Sequence, residues 1–392
     1  MRNAVVSCIL ATAALSFSSD LTSAGISRTI IGRAAPQSAF RPGAARIGPS
    51  SVPRLHTAWT YPIGSVTGSV ATDTRVFLNQ VSARGDLVVM LDAQTGKVLR
   101  SVTAASLHFS PDALAYAEGR LIVAGTKTTI AMNPETGKRY WSAPAGATSL
   151  NVIGDTIYTG KYCQNSADVC GSAASYAISL SNGRVLWEHA GAFAEAPDLV
   201  GGRLYQVVGR TGDQTRVYDP RSGTLVAELP YGALWLGDKY TIYAYALVSP
   251  QPGAKAAKRG WLGRISSTGK PVWKLDVGIV WPGSAVLDNG ILYVDSNRFH
   301  PGVIAVKGSN GKIQWGANLG KNLLLRVANQ LVFVLDPSKG TLSVLNAGTG
   351  SVLRQILLLH SAGVFPGRAF QALLLQNDTL YAIGNGVVAL RP

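Results

Sequence analysis

The side chains with the greatest chemical potential in this sequence are its histidines and cysteines. Its five histidines are scattered, and no HExxH motif or paired-histidine spacing joins them; they are His56, His108, His189, His300 and His360. The GxSxG nucleophile elbow, the P-loop and the GxGxxG dinucleotide fingerprint are also missing from the sequence. The sequence therefore predicts no catalytic residue, no metal ligand and no cofactor-binding residue.

Two of the three cysteines are close together, Cys163 and Cys170 in "CQNSADVC". The third, Cys8, lies in an N-terminal apolar stretch that an exported protein would lose. A pair of cysteines in an exported chain favours one disulfide closing a short loop. Two cysteines without a neighbouring histidine would make a poor zinc site. We therefore predict a Cys163–Cys170 disulfide.

The N-terminus has the organisation of an export signal. Arg2 precedes an apolar stretch over residues 4–17, and Ala24 stands at a small-residue cleavage site. This pattern predicts a signal peptide over residues 1–24 and an extracytoplasmic protein, secreted or periplasmic. A buried helix is the alternative, but it would need a polar-face periodicity that this stretch lacks. No later segment reaches the ~18 apolar residues of a membrane span, and "VVSC" is a poor match to a lipid-attachment site.

Residues 25–54 differ in composition from the rest of the chain. They contain five Arg, four Pro and no acidic residue. Such a composition is typical of a disordered segment. We predict a basic disordered tether here, which either contacts an anionic surface or serves only as a spacer.

From residue 55 onward, one string of residues returns seven times. The string begins with an apolar residue, which is usually followed by Asp or Asn. After the spacers come Thr, Ser or Asn and then a glycine; the glycines are Gly96, Gly137, Gly183, Gly223, Gly269, Gly311 and Gly350. Short alternating apolar runs that repeat about every 40 residues are typical of propeller blades. Each glycine is predicted to take the left-handed conformation that closes a bulged hairpin turn.

A tryptophan follows the glycine by four positions in four copies. These residues are Trp141, Trp187, Trp273 and Trp315, and the other copies carry Arg100, Ala227 and Arg354. Trp59 in "LHTAWTYPI" has the same setting but no preceding strands, while the C-terminus offers three strands without a return strand. Joining the two ends predicts an all-β, eight-bladed propeller of four-stranded antiparallel blades over residues 55–392.

The string apolar–Asp/Asn–x–x–Thr–Gly–x–x–x–Trp resembles the PQQ-like repeat of the quinoprotein alcohol dehydrogenase-like β-propellers. The resemblance implies either a dehydrogenase that binds pyrroloquinoline quinone (PQQ) and Ca²⁺ or a cofactor-free propeller, such as the BamB-type outer-membrane assembly lipoprotein or a sensor domain. The dehydrogenases use adjacent cysteines, whereas Cys163 and Cys170 are separated here, and no Glu–Asn–Asp metal set can be matched. The chain is closest in style to the cofactor-free, BamB-like members.

The charge is strongly positive and widely distributed. Lys and Arg number 36 against 21 acidic residues, giving a net charge of +15, a balance that favours anionic partners. Five basic residues directly follow motif glycines and are predicted to surround the ring, which argues against a focused nucleic-acid site; they are Lys97, Lys138, Arg184, Lys270 and Lys312.

Two repeats are longer than the others, through "YCQNSADVCGSAAS" and "ALVSPQPGAKAAKRGW". Both insertions are predicted between the second and third strands of their blades, the third and the fifth, and therefore on one rim. The second insertion carries Lys255, Lys258 and Arg259. This rim is the candidate binding surface, although neutral loop variation would also explain the extra length.

Three functions stay open from the sequence. The first is a monomeric, non-enzymatic exported propeller without cofactor that binds an envelope protein or an anionic polymer, as scaffold, assembly factor or sensor. The second is a PQQ- and Ca²⁺-dependent dehydrogenase with a divergent site. The third is a binder of acidic cell-envelope polymer, suggested by the positive charge. A propeller fold by itself does not decide among them.

Overall fold

The computed structural model of the chain is an eight-bladed β-propeller of four-stranded antiparallel blades, which confirms the predicted fold. The structure describes residues 29–31, 47–62, 64–81, 85–161, 174–190, 196–208, 214–230, 232–237, 241–248, 259–266, 268–278, 285–298, 301–358 and 370–392. Among these residues, no helix combines the length and the hydrophobicity that a membrane crossing needs.

In seven blades the four strands follow one another along the chain, from the centre of the ring outward. The first four blades contain β3 (Ser65–Ala71), β4 (Arg75–Val81), β5 (Leu87–Asp92) and β6 (Val98–Thr103); β7 (Pro111–Ala117), β8 (Arg120–Gly125), β9 (Thr129–Met132) and β10 (Arg139–Ala143); β11 (Ser149–Ile153), β12 (Thr156–Gly160), β13 (Ala174–Ser179) and β14 (Val185–Ala190); and β15 (Asp198–Val200), β16 (Arg203–Val208), β17 (Gln214–Tyr218) and β18 (Leu225–Leu229).

Blades 5 to 7 repeat this order. They contain β19 (Gly232–Gly237), β20 (Ile242–Val248), β21 (Arg259–Ile265) and β22 (Pro271–Asp276); β23 (Ala285–Asp288), β24 (Ile291–Ser296), β25 (Gly302–Lys307) and β26 (Ile313–Asn318); and β27 (Leu324–Ala328), β28 (Leu331–Asp336), β29 (Thr341–Asn346) and β30 (Val352–Leu357). The core is divided among the junctions, where apolar side chains of adjacent blades pack face to face.

Blade 8 is assembled from both ends of the chain. Its order is β31 (Phe370–Gln376), β32 (Thr379–Gly384), β33 (Gly386–Arg391) and then β2 (His56–Pro62). Strand β2 is antiparallel to β33, with Trp59 opposite Ala389, and the Trp59 ring centroid lies 5.8 Å from that of Tyr381. The predicted closure of the ring by the Trp59 strand is confirmed.

The recurring string folds as the predicted hairpin turn. In blade 1 the Asp92 carboxylate accepts hydrogen bonds from the backbone amides of Gln94 (3.1 Å) and Thr95 (2.8 Å). Gly96 has φ +71°, and the strand pairing shifts register just before this turn, at Met90 and Leu91. Because only glycine adopts this conformation without steric cost, the glycine is retained even where the tryptophan is not.

The segment predicted as a disordered tether over residues 25–54 is partly ordered. Thr29–Ile31 forms β1, which pairs with β7 as a fifth strand on the inner edge of blade 2. Pro49–Arg54 is a 3₁₀-helix, and Ile47, Val52 and Leu55 are buried in the core shared by blades 7 and 8. The ordered body therefore begins before residue 55, because these apolar side chains fill the junction that closes the ring.

The antiparallel order of the strands gives the ring two distinct faces. The connections from the second to the third strand and from each blade to the next lie on one face, called here the insertion face. The motif turns and the connections from the first to the second strand lie on the opposite face, the turn face. A short helix, α1 (Ala104–Leu107), follows β6 in the link to blade 2.

Candidate binding surfaces

The repeat tryptophans hold neighbouring blades together. Trp59, Trp141, Trp273 and Trp315 each lie over the motif glycine of the next blade, where a Cβ atom would stand only 2.5 to 2.7 Å from the indole ring. Each indole Nε1 donates to the backbone oxygen three residues before that glycine; the acceptors are Ala93 (3.0 Å), Leu180 (3.0 Å), Gly308 (3.1 Å) and Ala347 (2.9 Å). These positions are architectural.

Trp187 covers Gly223 in the same way but makes a different polar contact. Its Nε1 is buried without a hydrogen-bond partner among the described residues. The equivalent acceptor, Pro220 O, instead receives the Tyr158 hydroxyl at 3.1 Å. His189 Nε2 donates to Gly223 O at 2.8 Å. The junction of blades 3 and 4 is built instead from an aromatic cluster of Tyr158, Trp187, His189 and Tyr218, in which the His189 ring centroid lies 4.8 Å from that of Trp187 and 4.5 Å from that of Tyr218.

In the three copies without tryptophan, other side chains make the contact with the next blade. The Arg100 guanidinium lies against Gly137, and Leu229 of blade 4 covers Gly269. Arg354 Nη1 donates to Val52 O at 3.0 Å and also to Pro53 O. The 3₁₀-helix of Pro49–Arg54 thus stands where blade 8 lacks a motif turn.

The insertion face carries the predicted candidate rim. Cys163, Cys170, Lys255 and Lys258 lie outside the described residues, and Arg259 is the first residue of β21, opposite Val248 of β20. The two insertions connect β12 to β13 and β20 to β21, so both connections leave the ring on this face. The structure places their anchors on one side, with blade 4 between them.

A partly buried carboxylate that no sequence pattern indicates lies near Lys161, the last described residue before the first of these insertions. Asp112 is the second residue of β7, and burial together with the nearby Asp86 raises its pKa to about 6, while Lys161 opposes that shift. Its Oδ2 has no hydrogen-bond partner among the described residues. Asp112 stands outside the recurring string, so only the folded ring reveals that it is buried.

A second group of acids lies between blades 6 and 7 on the insertion face. Burial raises the pKa of Asp295 to about 6, although its carboxylate accepts a hydrogen bond from Leu323 N at 3.0 Å. Asp336 and Lys339 line a neighbouring cleft of about 410 Å³. Among the described residues, no three His, Cys, Asp or Glu side chains are grouped so that they could hold a metal ion.

The outer rim of the ring exposes apolar side chains. In the described part of the chain, all exposed large apolar residues except Val81 lie on outermost strands; they are Val98, Leu99, Tyr140, Leu186, Leu225, Val226, Val272, Ile313, Val352, Leu353 and Leu357. Val272 is the most exposed, at 59%. Each of these strands is the edge of its sheet. The rim therefore presents apolar groups beside unpaired backbone groups, the combination that strand edges offer to partners.

Eight four-stranded blades, joined at five junctions by tryptophans that cover the glycines of the next blade, define a propeller of the PQQ-like repeat class. The chain belongs to the family described as outer membrane protein assembly factor BamB, whose family model matches residues 50–218 and 258–392. This match confirms the resemblance recognised in the repeat. The gap between the two matched ranges runs from the last turn of blade 4 to the second insertion.

Individual relatives are distant. The outer membrane protein assembly factor BamB of Moranella endobia (strain PCIT) is 24% identical over 304 residues, covering 76% of this chain and 66% of that protein. The chain thus spans just under two thirds of that relative's length.

Solved structures share the fold at lower identity. The computationally designed Ika8 protein has a TM-score of 0.62 at 16% identity, covering 84% of this chain and 97% of that one. Quinohemoprotein alcohol dehydrogenase from Comamonas testosteroni has a TM-score of 0.60 at 13% identity, with coverages of 88% and 78%. BamB from Moraxella catarrhalis has a TM-score of 0.55 at 13% identity, with coverages of 86% and 100%.

Proposed function

We propose that this protein is an extracytoplasmic, non-enzymatic scaffold that binds a protein of the cell envelope and acts as an assembly factor. The family match supports this function, because the relative's name describes a factor for outer membrane protein assembly. The predicted signal peptide supports export. The proposal includes no PQQ or Ca²⁺ and assigns no catalytic residue.

The observation that carries the proposal is the apolar outer rim. Exposed apolar side chains recur on the outermost strands of seven blades, and a sheet edge that combines apolar side chains with unpaired backbone groups is a surface to which partner proteins add. Four of these blades carry the residues chosen for the test below: Leu99, Leu186, Val272 and Leu353. A closed ring keeps them in fixed positions, so a partner meets a preformed surface.

Site-specific crosslinking in the envelope tests the proposal. A photo-crosslinking residue placed at Leu99, Leu186, Val272 or Leu353 should capture one discrete envelope protein from at least one position. The same residue at Lys312 on the turn face is the control. An aspartate at the neighbouring rim residue should abolish the crosslink without changing the unfolding transition. Capture that is equal at Lys312, or absent from all four rim positions, would contradict the scaffold proposal.

A second candidate function, the binding of acidic envelope polymer, is favoured by the turn face. Lys97, Lys138, Arg184, Lys270 and Lys312 are all exposed at the starts of outermost strands. Binding to an acidic polymer that persists at physiological salt would support this function, and complete loss on screening would argue against it. Addition of PQQ and Ca²⁺ followed by a dye-reduction assay on alcohols and sugars tests the dehydrogenase hypothesis, and saturable turnover would revive it.

A further inference from the structure

The junction of blades 1 and 2 departs from the repeat at two positions. Arg100 stands four residues after its glycine, and Arg139 stands two residues after the glycine of blade 2, where the other six copies carry Val, Leu, Ile or Pro. The two arginines line one cleft of about 440 Å³ on the outer side of the ring, between β6, α1 and β9. Two separate basic replacements therefore converge on a single cavity.

Arg100 is a partly buried cation without an anionic partner among the described residues. Its Nη1 donates to the backbone oxygen of Glu135 at 2.8 Å, while its Nε is buried with no hydrogen-bond partner in the same part of the chain. The Glu135 carboxylate is bound instead to Arg75, at 3.2 Å. Guanidinium groups stay charged in proteins, and buried charges are normally paired. Arg100 is therefore prepared for an anion that its described neighbours do not supply.

Arg354 shows that an arginine at this repeat position does not create such a cleft by itself. At the junction of blades 7 and 8 its guanidinium donates to Val52 O and Pro53 O of the 3₁₀-helix. The neighbouring outermost strand, β2, has Thr57 where blade 2 has Arg139. The cleft thus requires both replacements at one junction.

The remaining lining combines donors with an apolar floor. Arg139 is exposed, and its Nη2 donates a long hydrogen bond of 3.4 Å to Leu107 O. The other described lining residues include the polar Ser101, Ser106 and His108 and the apolar Val102, Leu107, Ile130 and Met132, with no acidic side chain among them. A ligand that matches this lining carries a negative head and an apolar body.

We propose that this cleft binds an organic anion in which a carboxylate or phosphate head group is attached to a short apolar chain. Arg100 and Arg139 hold the head group by charge-assisted hydrogen bonds, which guanidinium groups form with both types of oxyanion. The apolar chain packs on Val102, the half-buried apolar side chain of the lining, above the buried Ile130 and Met132. The cleft volume lies in the range of small-ligand sites.

Calorimetric titration of the full exported chain tests the site. The probes are octyl phosphate, octanoate, inorganic phosphate and octyl glucoside, all below their critical micelle concentrations. We expect saturable binding of one or both octyl anions, with octyl glucoside bound at least about tenfold more weakly because it lacks the charge. Inorganic phosphate bound as tightly as octyl phosphate would contradict the assignment of the apolar floor.

Variants of the adjacent Lys138 and Arg139 distinguish binding in the cleft from a general effect of losing one positive charge. Arg139→Gln should weaken binding of the octyl anions by about tenfold or more, whereas Lys138→Gln removes the same charge from an exposed residue that does not line the cleft. Arg100→Gln should also weaken binding; if it fails to fold, Arg139→Gln carries the test. Equal effects of the position 138 and 139 variants, or octyl anions bound no better than octyl glucoside, would overturn the proposal.

Discussion

The indole Nε1 of Trp59 donates a 3.0 Å hydrogen bond to the backbone oxygen of Ala93. This bond links the outermost strand of blade 8 to the motif turn of blade 1, so it connects the two blades at which the ring closes. Arg391 Nη2 donates to the same oxygen at 2.6 Å. The Ala93 carbonyl oxygen therefore accepts hydrogen bonds from side chains of both β2 and β33.

The contact between Trp59 and Gly96 makes the motif glycine sensitive to a methyl group. Gly96→Ala should destabilise the protein because its φ is +71° and the added Cβ would stand 2.5 Å from Trp59 Cε3. Gly119→Ala is the matched control, since its φ is +73° but nothing lies within 4 Å. We expect a cost of about 1 kcal/mol at Gly119 and at least ~2 kcal/mol more at Gly96. Denaturant unfolding measures both; equal costs would show that the packing contact is unimportant.

The indole hydrogen bonds should contribute differently at two junctions. Trp141→Phe removes a donor bonded to Leu180 O at 3.0 Å, whereas Trp187→Phe removes a buried N–H without a partner among the described residues. Both substitutions remove a similar area of aromatic ring, so the difference between their effects on the free energy of unfolding reports the contribution of the hydrogen bond. We expect Trp141→Phe to be more destabilising by about 2 kcal/mol in the free energy of unfolding. The reverse order would contradict this account of the aromatic cluster.

The ordered residues before position 55 should contribute to stability. Ile47 is fully buried in the core of blades 7 and 8. Ile47→Ala should lower the free energy of unfolding by about 2–4 kcal/mol. Ser50→Ala, at an exposed position of the neighbouring 3₁₀-helix, should leave it within about 0.5 kcal/mol. An Ile47 variant as stable as the parent chain would show that the segment is not part of the body in solution.

The raised pKa of Asp112 predicts that the stability of the protein depends on pH. Burial raises its pKa from 3.8 to about 6, so the folded state binds a proton more tightly than the unfolded state. The contribution of this group is most favourable below about pH 4 and is lost as the pH rises through about 6. At pH 7 Asp112→Asn should therefore be more stable than the parent by about 1–2 kcal/mol, after an allowance for solvent screening.

The pH series needs a control for general charge. Asp155→Asn removes an exposed carboxylate and is measured beside Asp112→Asn at each pH, so that the general effect of one lost negative charge can be subtracted. The difference between the parent and Asp112→Asn should grow between about pH 4 and 6 and then level off. A flat difference would show that Asp112 titrates as it does in the unfolded chain.

Much of the architecture follows from residues that are close in sequence. Asp92 and Gly96 form their turn within five residues, and the same local chemistry repeats in the other copies. The apolar alternation defines the strands, and the spacing of the copies counts the blades. Even the long-range pairing of β2 with β33 was predictable, because each end alone was an incomplete blade.

The positions where the repeat is broken were visible, but their consequences were not. Arg100, Arg139 and Arg354 could all be recognised as departures from the repeat. Nothing in their spacing indicates that Arg100 and Arg139 meet in one cleft while Arg354 is bound by the 3₁₀-helix. Composition suggested a disordered tether, yet Val52 is buried because blade 8 leaves a gap where a motif turn would stand.

The sequence by itself determined the turns, the strands and the number of blades, since these depend on backbone conformation and on alternation over a few residues. Only the tertiary structure decided which departures from the repeat share a junction and how far burial raises the pKa of Asp112. The physical reason is that burial and charge pairing depend on the neighbouring blade, whose contacting residues lie some forty positions away and face inward only when the ring closes.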